Sequence, residues 1–371
     1  MSSAGGRGST DEVFVLGGYG RTGRSVADDL ATSGVTPVLV GRDAGRLAEA
    51  ARPGGHRTVV AASAEAMATA VVRERPTVVL NTIGPFTRTA PPLVGACLAA
   101  GSEYVDLAND MAAVPALLAR QGDAVRSGRT LVTGAGFGVT ATESVVAWLC
   151  EGADPAERVR VDMVPSLALE AGRLGEALAG TLVEGLPGVP GGGRFQGRRV
   201  ADGVLAAASI GGGVLALRTP EGDEVSVALM PLGELVAAQR ASGARFVDAA
   251  SSEAPSGRLV RLALPVAASL LHLGVLRRFV AGRLAAVRFA DRPAPREHSW
   301  GHADVAWSDG TAAEGWVRLP EAQAATVAIA AEVARRLARH EGRPGAFTPA
   351  ALFGHQLLTS LGAEYLRVEG R

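Results

Sequence analysis

Two groups of residues in this chain have types and spacings suited to chemistry. The first is Gly18, Gly20 and Gly23 in the stretch GGYGRTG, which fits G-x-G-x-x-G, with Tyr19, Arg21 and Thr22 between them. In such a loop Gly18 lets the chain turn off a strand and Gly20 lets a pyrophosphate come close to the backbone. Gly23 lets the following helix pack near a sheet. Amides at the helix start then point at phosphates, and the helix dipole favours their charge. The second group is Tyr104, Asp106 and Asp110 in EYVDLAND, with Asn109 beside the last acid. These three side chains can carry a proton, and strand alternation sends Tyr104 and Asp106 to one face. Each also has a plain structural reading: a half-buried sheet tyrosine, a loop-capping carboxylate and a helix N-cap.

The elements around the glycines give the triplet its meaning. The apolar run 13–16 reads as a buried strand, 24–32 as a helix closed by Gly34, and 37–40 as a second strand. That strand ends in Gly41-Arg42-Asp43, where a dinucleotide fold reads the adenosine ribose. A guanidinium suits a 2′-phosphate, so Arg42, with Arg46 one turn later, favours NADP(H) over NAD. The alternative makes both arginines solvated and Asp43 a helix cap.

Strands and helices alternate through the first third. Strands fall at 57–61, 77–81, 103–107 and 130–133, and helices at 44–51, 64–73, 89–100 and 114–126. This alternation predicts an α/β chain with a Rossmann-type, doubly wound parallel sheet. Ligands in such sheets lie beyond the carboxyl ends of the strands. Three segments there are distinctive: Asn81 to Phe86, Tyr104 to Asp110, and Gly134 to Thr140. Gly84-Pro85 can turn under a nicotinamide ribose, with Asn81 beside it, and Phe86 and Phe137 can wall a flat ring. Asn109 and Phe137 fall on the expected substrate side.

Composition excludes several classes. The formal net charge is zero, so nothing is basic enough for nucleic acid. All 37 basic residues are Arg. Without lysine there is no Schiff base and no Tyr-x-x-x-Lys dyad. Cys97 and Cys150 lack zinc-type spacing and read as buried free thiols. Residues 1–10 are small and polar, without an apolar signal region, and read as a disordered tail of a cytoplasmic protein.

After residue 135 the pattern changes. A strand is expected at 158–163, a glycine-broken helix at 167–184, and a Gly/Pro-rich loop at 186–194. Hairpins are expected at 214–219/224–230 and 304–307/311–317. They predict a second α+β domain containing a largely antiparallel sheet. The apolar stretch 259–276 is too short for an integral membrane span and reads as a core or dimer helix, or else as a lid or tunnel for a hydrophobic substrate or a membrane-surface helix. His298 and His302 are spaced His-x-x-x-His without a third ligand, so no metal is expected, and His298 is read as a substrate contact from the second domain. His272 reads as a core histidine, and His355 as a residue that can approach the cofactor.

The stretch NTIGPFTRTAPPLVGACLAAGSEYVDLAND, followed by GAGF, resembles the NADP-binding domain of saccharopine dehydrogenase-like oxidoreductases. These include saccharopine reductases and trans-acting enoyl reductases. The C-terminal GAFTPAALFG resembles the threonine-proline motif of the same group. Asn109-Asp110 and Gly138 depart from the pattern, in which Gly-Glu and an Asp are frequent there. The resemblance implies an NADPH-dependent reductase acting on a C=N or C=C bond of a small-molecule substrate, and a homodimer. It also implies domains at 11–135 and 136–339, with 340–371 returning to the first. The departures leave a second reading open, a non-catalytic NADP(H)-binding sensor or scaffold.

Overall fold

The opening apolar run forms strand β1 (Glu12–Leu16), whose inner residues are fully buried. A computed structural model describes residues 11–168, 172–173, 197–209, 211–254, 274–285, 288–289 and 293–369. The residue 1–10 tail, the 186–194 loop, His272 and most of the 259–276 stretch lie outside the described residues.

Around β1 the chain builds strands β2 (Thr36–Gly41), β3 (Arg57–Val60), β4 (Val78–Asn81), β5 (Glu103–Asp106) and β6 (Thr130–Val132). With β17 (Gly345–Phe347) they form one sheet in the order β17-β6-β5-β4-β1-β2-β3. Every pairing is parallel. The order in which successive strands are laid down reverses between β1 and β4, the topological switch point of a doubly wound fold. Helices α1 (Arg21–Thr32), α2 (Ala44–Ala51), α3 (Ala64–Glu74) and α4 (Phe86–Ala100) link the strands.

Local chemistry moves some expected boundaries. Helix α1 starts at Arg21 rather than 24, because Gly20 is its N-cap. Helix α4 starts at Phe86 rather than 89, directly after Pro85. The single helix expected at 114–126 is two, α5 (Ala113–Leu118) and α6 (Gln121–Ser127). Ala119 and Arg120 part them, with ψ moving from −14° to 10°.

The second sheet is mixed and mostly antiparallel. Its strands are β7 (Arg158–Val164), β9 (Gly197–Ala201), β10 (Val204–Ala208), β13 (Phe246–Ser251), β15 (Ser299–Ala306), β16 (Ala312–Leu319) and β18 (Glu364–Arg367). They run β10-β9-β13-β7-β15-β16-β18, with β12 (Glu224–Leu229) pairing both β11 (Leu215–Arg218) and β13. Both expected hairpins form, and the second is longer than its sequence signal. The pair β7–β13 is parallel. Within the segment expected to be helical at 167–184, Gly172–Arg173 (β8) instead pairs antiparallel with Arg288–Phe289 (β14).

Helix α7 (Phe137–Leu149) joins the two sheets. It leaves the end of β6 and packs on β15, β16 and β7. The approach is close: a Cβ on Gly301 would lie 2.9 Å from the Ala141 carbonyl carbon, and one on Gly315 2.8 Å from the Trp148 ring. A single apolar core therefore runs from Val13 and Val15 through Phe137 and Ala141 to Met163, Ala303 and Val317. After α8 (Glu234–Ser242) and α9 (Gly274–Ala285), helix α10 (Ala322–Ala338) packs on α1, β4 and β5, so it covers the first sheet although it follows β16. The C-terminal segment touches both sheets, through β17 and β18.

Candidate active site

The glycine loop lies at the switch point. Gly17 makes the turn, at φ +82°, and its N–H donates to the Val40 carbonyl. That task was expected of Gly18, whose own constraint is different: a Cβ there would lie 2.7 Å from Leu39 Cβ on the next strand. Gly23 packs helix onto loop, since a Cβ would meet the Gly17 carbonyl oxygen at 2.4 Å. A Cβ on Gly20 meets only that same oxygen, at 3.1 Å, so the space beside it is open. Helix α1 has no side-chain cap and no acid in its first turn. Its leading N–H groups therefore suit an anion, and the cradle fits a pyrophosphate.

The end of β2 completes the cofactor side. Arg42 and Arg46 are exposed there. The Tyr19 ring lies against Gly41, and the Arg46 guanidinium stacks 4.5 Å above that ring. Asp43 caps α2, accepting from Arg46 N at 2.9 Å, as one sequence reading had it. Arg21 is exposed, and Thr22 Oγ1 accepts a 2.9 Å bond from Gln323 Nε2 of α10.

Next to the glycine loop, Thr82 Oγ1 donates to the Leu16 carbonyl. A buried network then fixes the turn that follows. Asn81 Oδ1 accepts from Ile83 N, and its Nδ2 donates to Thr89 Oγ1 and to Tyr104 Oη, both at 3.1 Å. Thr89 Oγ1 in turn donates to the Ile83 carbonyl at 2.6 Å. Tyr104 Oη donates to Asp106 Oδ2, and Asp106 Oδ1 accepts from Thr133 Oγ1 and Ala108 N. Tyr104 is 0% exposed and Asp106 1%. Burial pushes the Asp106 carboxyl up to about 6 against these donors, and burial with Asp106 beside it pushes the Tyr104 phenol well up. The network holds Gly84 and Pro85, joined by a cis peptide, at the mouth of the switch point.

Beyond β5 and β6 lies a cleft of about 240 Å³. Asn109, Phe137, Gly138, Met163, Glu253 and Gln323 are among the residues that line it. Gln323 is the link to Thr22, so the cleft adjoins the glycine loop. Helix α8 (Glu234–Ser242) starts against its wall, because Gly233 N donates to the Asn109 carbonyl and Asp110 bridges Leu232. This brings in a residue that the sequence reading missed, Glu234. A Cβ on Gly138 would lie 2.4 Å from Glu234 Oε1, 2.6 Å from Met163 Sδ and 3.0 Å from Asn109 Nδ2. Glu234 is 2% exposed, and neither carboxyl oxygen makes a well-formed hydrogen bond among the described residues, although its own N–H and the Asn109 amide lie close. Burial pushes its carboxyl up to about 7, opposed by its own N–H and the Asn109 amide. No local sequence signal marks Glu234; GELVAAQ reads as the start of an ordinary helix.

Several expected site residues lie elsewhere. Phe86 is buried among Ala108, Ala113, Val114 and Leu118, anchoring α4 rather than walling a ring. His298 is not at the cleft: its Nδ1 lies 2.7 Å from Glu221 Oε1, at the β11–β12 turn, without hydrogen-bond alignment. His302 is committed to two carboxylates, Asp162 at 2.9 Å and Glu314 at 3.2 Å. Those partners raise its pKa despite burial. The His355 carbonyl accepts from Tyr365 Oη and its ring packs edge-on against that tyrosine. Asp110 is buried, and its Oδ1 accepts from Ala112 N and Ala113 N at the start of α5.

Known proteins match the first sheet most clearly. Residues 13–132 match the family of saccharopine dehydrogenase NADP-binding domains. Over 107 residues the chain is 33% identical to the trans-acting enoyl reductase of Mycobacterium bovis (strain BCG / Pasteur 1173P2), covering 27% of this chain and 26% of that one. The trans-acting enoyl reductase of Mycobacterium leprae (strain TN) is 32% identical over the same length. The chain thus matches about a quarter of these curated relatives' length. The whole architecture is similar to apo saccharopine dehydrogenase (L-Glu forming) from Saccharomyces cerevisiae, with TM-score 0.60, 12% identity, and coverage of 96% and 99% of the two chains. At that identity the likeness concerns the fold.

Proposed function

We propose that this protein is an NADPH-dependent oxidoreductase that reduces a polarised C=N or C=C bond of a small or hydrophobic metabolite. The observation that carries this reading is one juxtaposition. An open glycine cradle with Arg42 beside it adjoins, through the Thr22–Gln323 bond, a cleft with a buried carboxyl, Glu234, directly behind its Gly138 wall. The match of residues 13–132 to NADP-binding domains and the names of the enoyl reductase relatives support it.

When bound, NADPH supplies the hydride. The residues of this chain do the rest. Gly20 and the first N–H groups of α1 would hold the pyrophosphate, and Arg42 would pair with the 2′-phosphate. The Asn81–Tyr104–Asp106 network holds the Gly84-Pro85 turn in position, a role for Tyr104 and Asp106 that fits their burial better than direct proton donation. Asn109 and Phe137 contact the substrate, whose closeness to the hydride donor and shielding from water set the rate.

Incubating the purified protein with NADPH and either pyrroline, a cyclic imine, or a crotonyl thioester tests the reading. Oxidation of NADPH with formation of the amine or the saturated thioester is expected. Binding of NADPH without reduction of either class would favour the sensor alternative. We also read the protein as a cytoplasmic homodimer, on the resemblance alone; a monomer mass by light scattering would overturn the dimer.

A further inference from the structure

Glu234 stands directly behind the cleft wall at Gly138 and Asn109, and three buried acceptor oxygens there, Glu234 Oε1, Glu234 Oε2 and Asn109 Oδ1, make no well-formed hydrogen bond among the described residues. Leaving such groups unmatched is costly, on the order of 1–3 kcal/mol each. One proton removes much of the mismatch, because a carboxylic acid donates where a carboxylate only accepts. The missing Cβ of Gly138 is what admits this carboxyl to the wall, since any side chain there would overlap Oε1.

We propose that Glu234 holds the proton that the reduction consumes and delivers it to the substrate. The proposal rests on the reductase reading above. In the step, the hydride from the reduced cofactor forms a C–H bond at the electrophilic carbon. The π electrons of the C=N or C=C bond take the proton, forming N–H or a second C–H. The O–H bond of Glu234 breaks, leaving a carboxylate, and water reprotonates it in the next cycle. The substrate loses a double bond and gains two hydrogens, one as hydride from the reduced cofactor, which is oxidised by two electrons, and one as the proton of Glu234, so the step balances.

Most of the other charged groups on the elements packed around Glu234 are engaged. Asp110 accepts from Ala112 N and Ala113 N. Glu143 on α7 accepts from Thr348 Oγ1 and Ala350 N. Asp162 on β7 is paired with His302 and Arg160. Arg240, on α8 itself, acts on Glu143. Glu253 lines the same cleft, where burial raises its carboxyl and Arg296 lowers it. A carboxyl near 7 is half protonated at neutral pH, which suits an acid that must give and regain a proton.

The test uses the full chain, wild type, Glu234→Gln and Glu253→Gln, with two readouts. Infrared titration reads the carbonyl stretch of a buried protonated carboxyl. A band titrating near 7 in wild type is expected, with the component due to Glu234 lost in Glu234→Gln and the component due to Glu143 kept. No difference between the wild-type and Glu234→Gln bands at neutral pH overturns the proposal. Steady-state turnover reads the role. In Glu234→Gln, kcat should fall about 100-fold or more while NADPH affinity is kept, and the decline of wild-type kcat above pH 7 should disappear. An unchanged kcat in Glu234→Gln, or loss of that limb only in Glu253→Gln, overturns it. If wild type binds NADPH but reduces neither acceptor class, the reductase reading fails by itself, and the infrared band still decides whether Glu234 holds a proton. Should Glu234→Gln fail to fold, Glu234→Asp, which keeps the acid but shortens its reach, is expected to retain the band and lose turnover.

Discussion

At Gly138 the usual cost of glycine inside a helix is set against the space it leaves. Replacing it with Ala gains about 1 kcal/mol of helix propensity, while overpacking a tight site costs about 1–3 kcal/mol. The atoms in the way, Glu234 Oε1, Met163 Sδ and Asn109 Nδ2, are all ends of side chains and can move. Gly138→Ala should therefore fold, with stability lowered by at most about 2 kcal/mol, yet displace Glu234 and shift its titration. Urea unfolding and the infrared titration check the two halves; an unmoved titration would mean that Glu234 does not depend on the vacancy. In the sequence, Gly138 and Asn109 showed only as departures from a family pattern. Their meaning depends on a partner about 100 residues away in sequence, brought in by the Asp110–Leu232 bridge. Tyr104 and Asp106 were legible as a same-face pair, but not how completely α4 and its neighbours bury them.

At the scale of elements, the C-terminal threonine-proline motif is tied to the joining helix α7. Thr348 is the N-cap residue of α11 (Pro349–Phe353), and its hydroxyl donates to the buried Glu143 of α7 instead of capping its own helix. Glu143 also accepts from Ala350 N, and burial pushes its carboxyl up to about 7. Thr348→Val keeps shape and removes the donor, so it should cost about 1–3 kcal/mol of stability. Matched urea unfolding curves measure this, and no loss would mean that water replaces the hydroxyl. Element types were largely legible where periodicity was strong, as in β1 to β4 and both hairpins. The break between α5 and α6 was not, because two residues in near-bridge geometry leave no compositional mark. The parallel β7–β13 pair was also hidden, since residues 158–164 and 246–251 pair across a long separation.

For the whole molecule, the buried acids set a direction for pH dependence. Asp106 near 6 and Glu143 and Glu234 near 7 all lie above their ordinary values. Protons then bind the folded state more strongly, so this stability is present below about pH 4 to 4.5 and is lost as pH rises through 6 to 7. A carboxyl moved from 4.5 to about 7 accounts for up to about 3 kcal/mol. His302, also raised, contributes in the same sense at higher pH. Asp162, Glu74 and Glu332 are lowered, so their contribution is lost as pH falls below about 4. Urea unfolding at fixed ionic strength should show greatest stability near pH 5 and a decline of several kcal/mol by about pH 8. A flat profile would mean that these carboxyls are hydrated in solution.

The central claim is that the glycine cradle and Arg42 select NADPH, and fluorescence titration of NADPH and NADH against wild type and Arg42→Asp tests it most directly. A charge-assisted contact to the 2′-phosphate is worth about 1.5–3 kcal/mol, or roughly ten- to hundredfold in Kd. The expected result is tight NADPH and weaker NADH in wild type, with Arg42→Asp losing that margin for NADPH and little for NADH. Equal losses for both cofactors, or no binding of either by wild type, would contradict it.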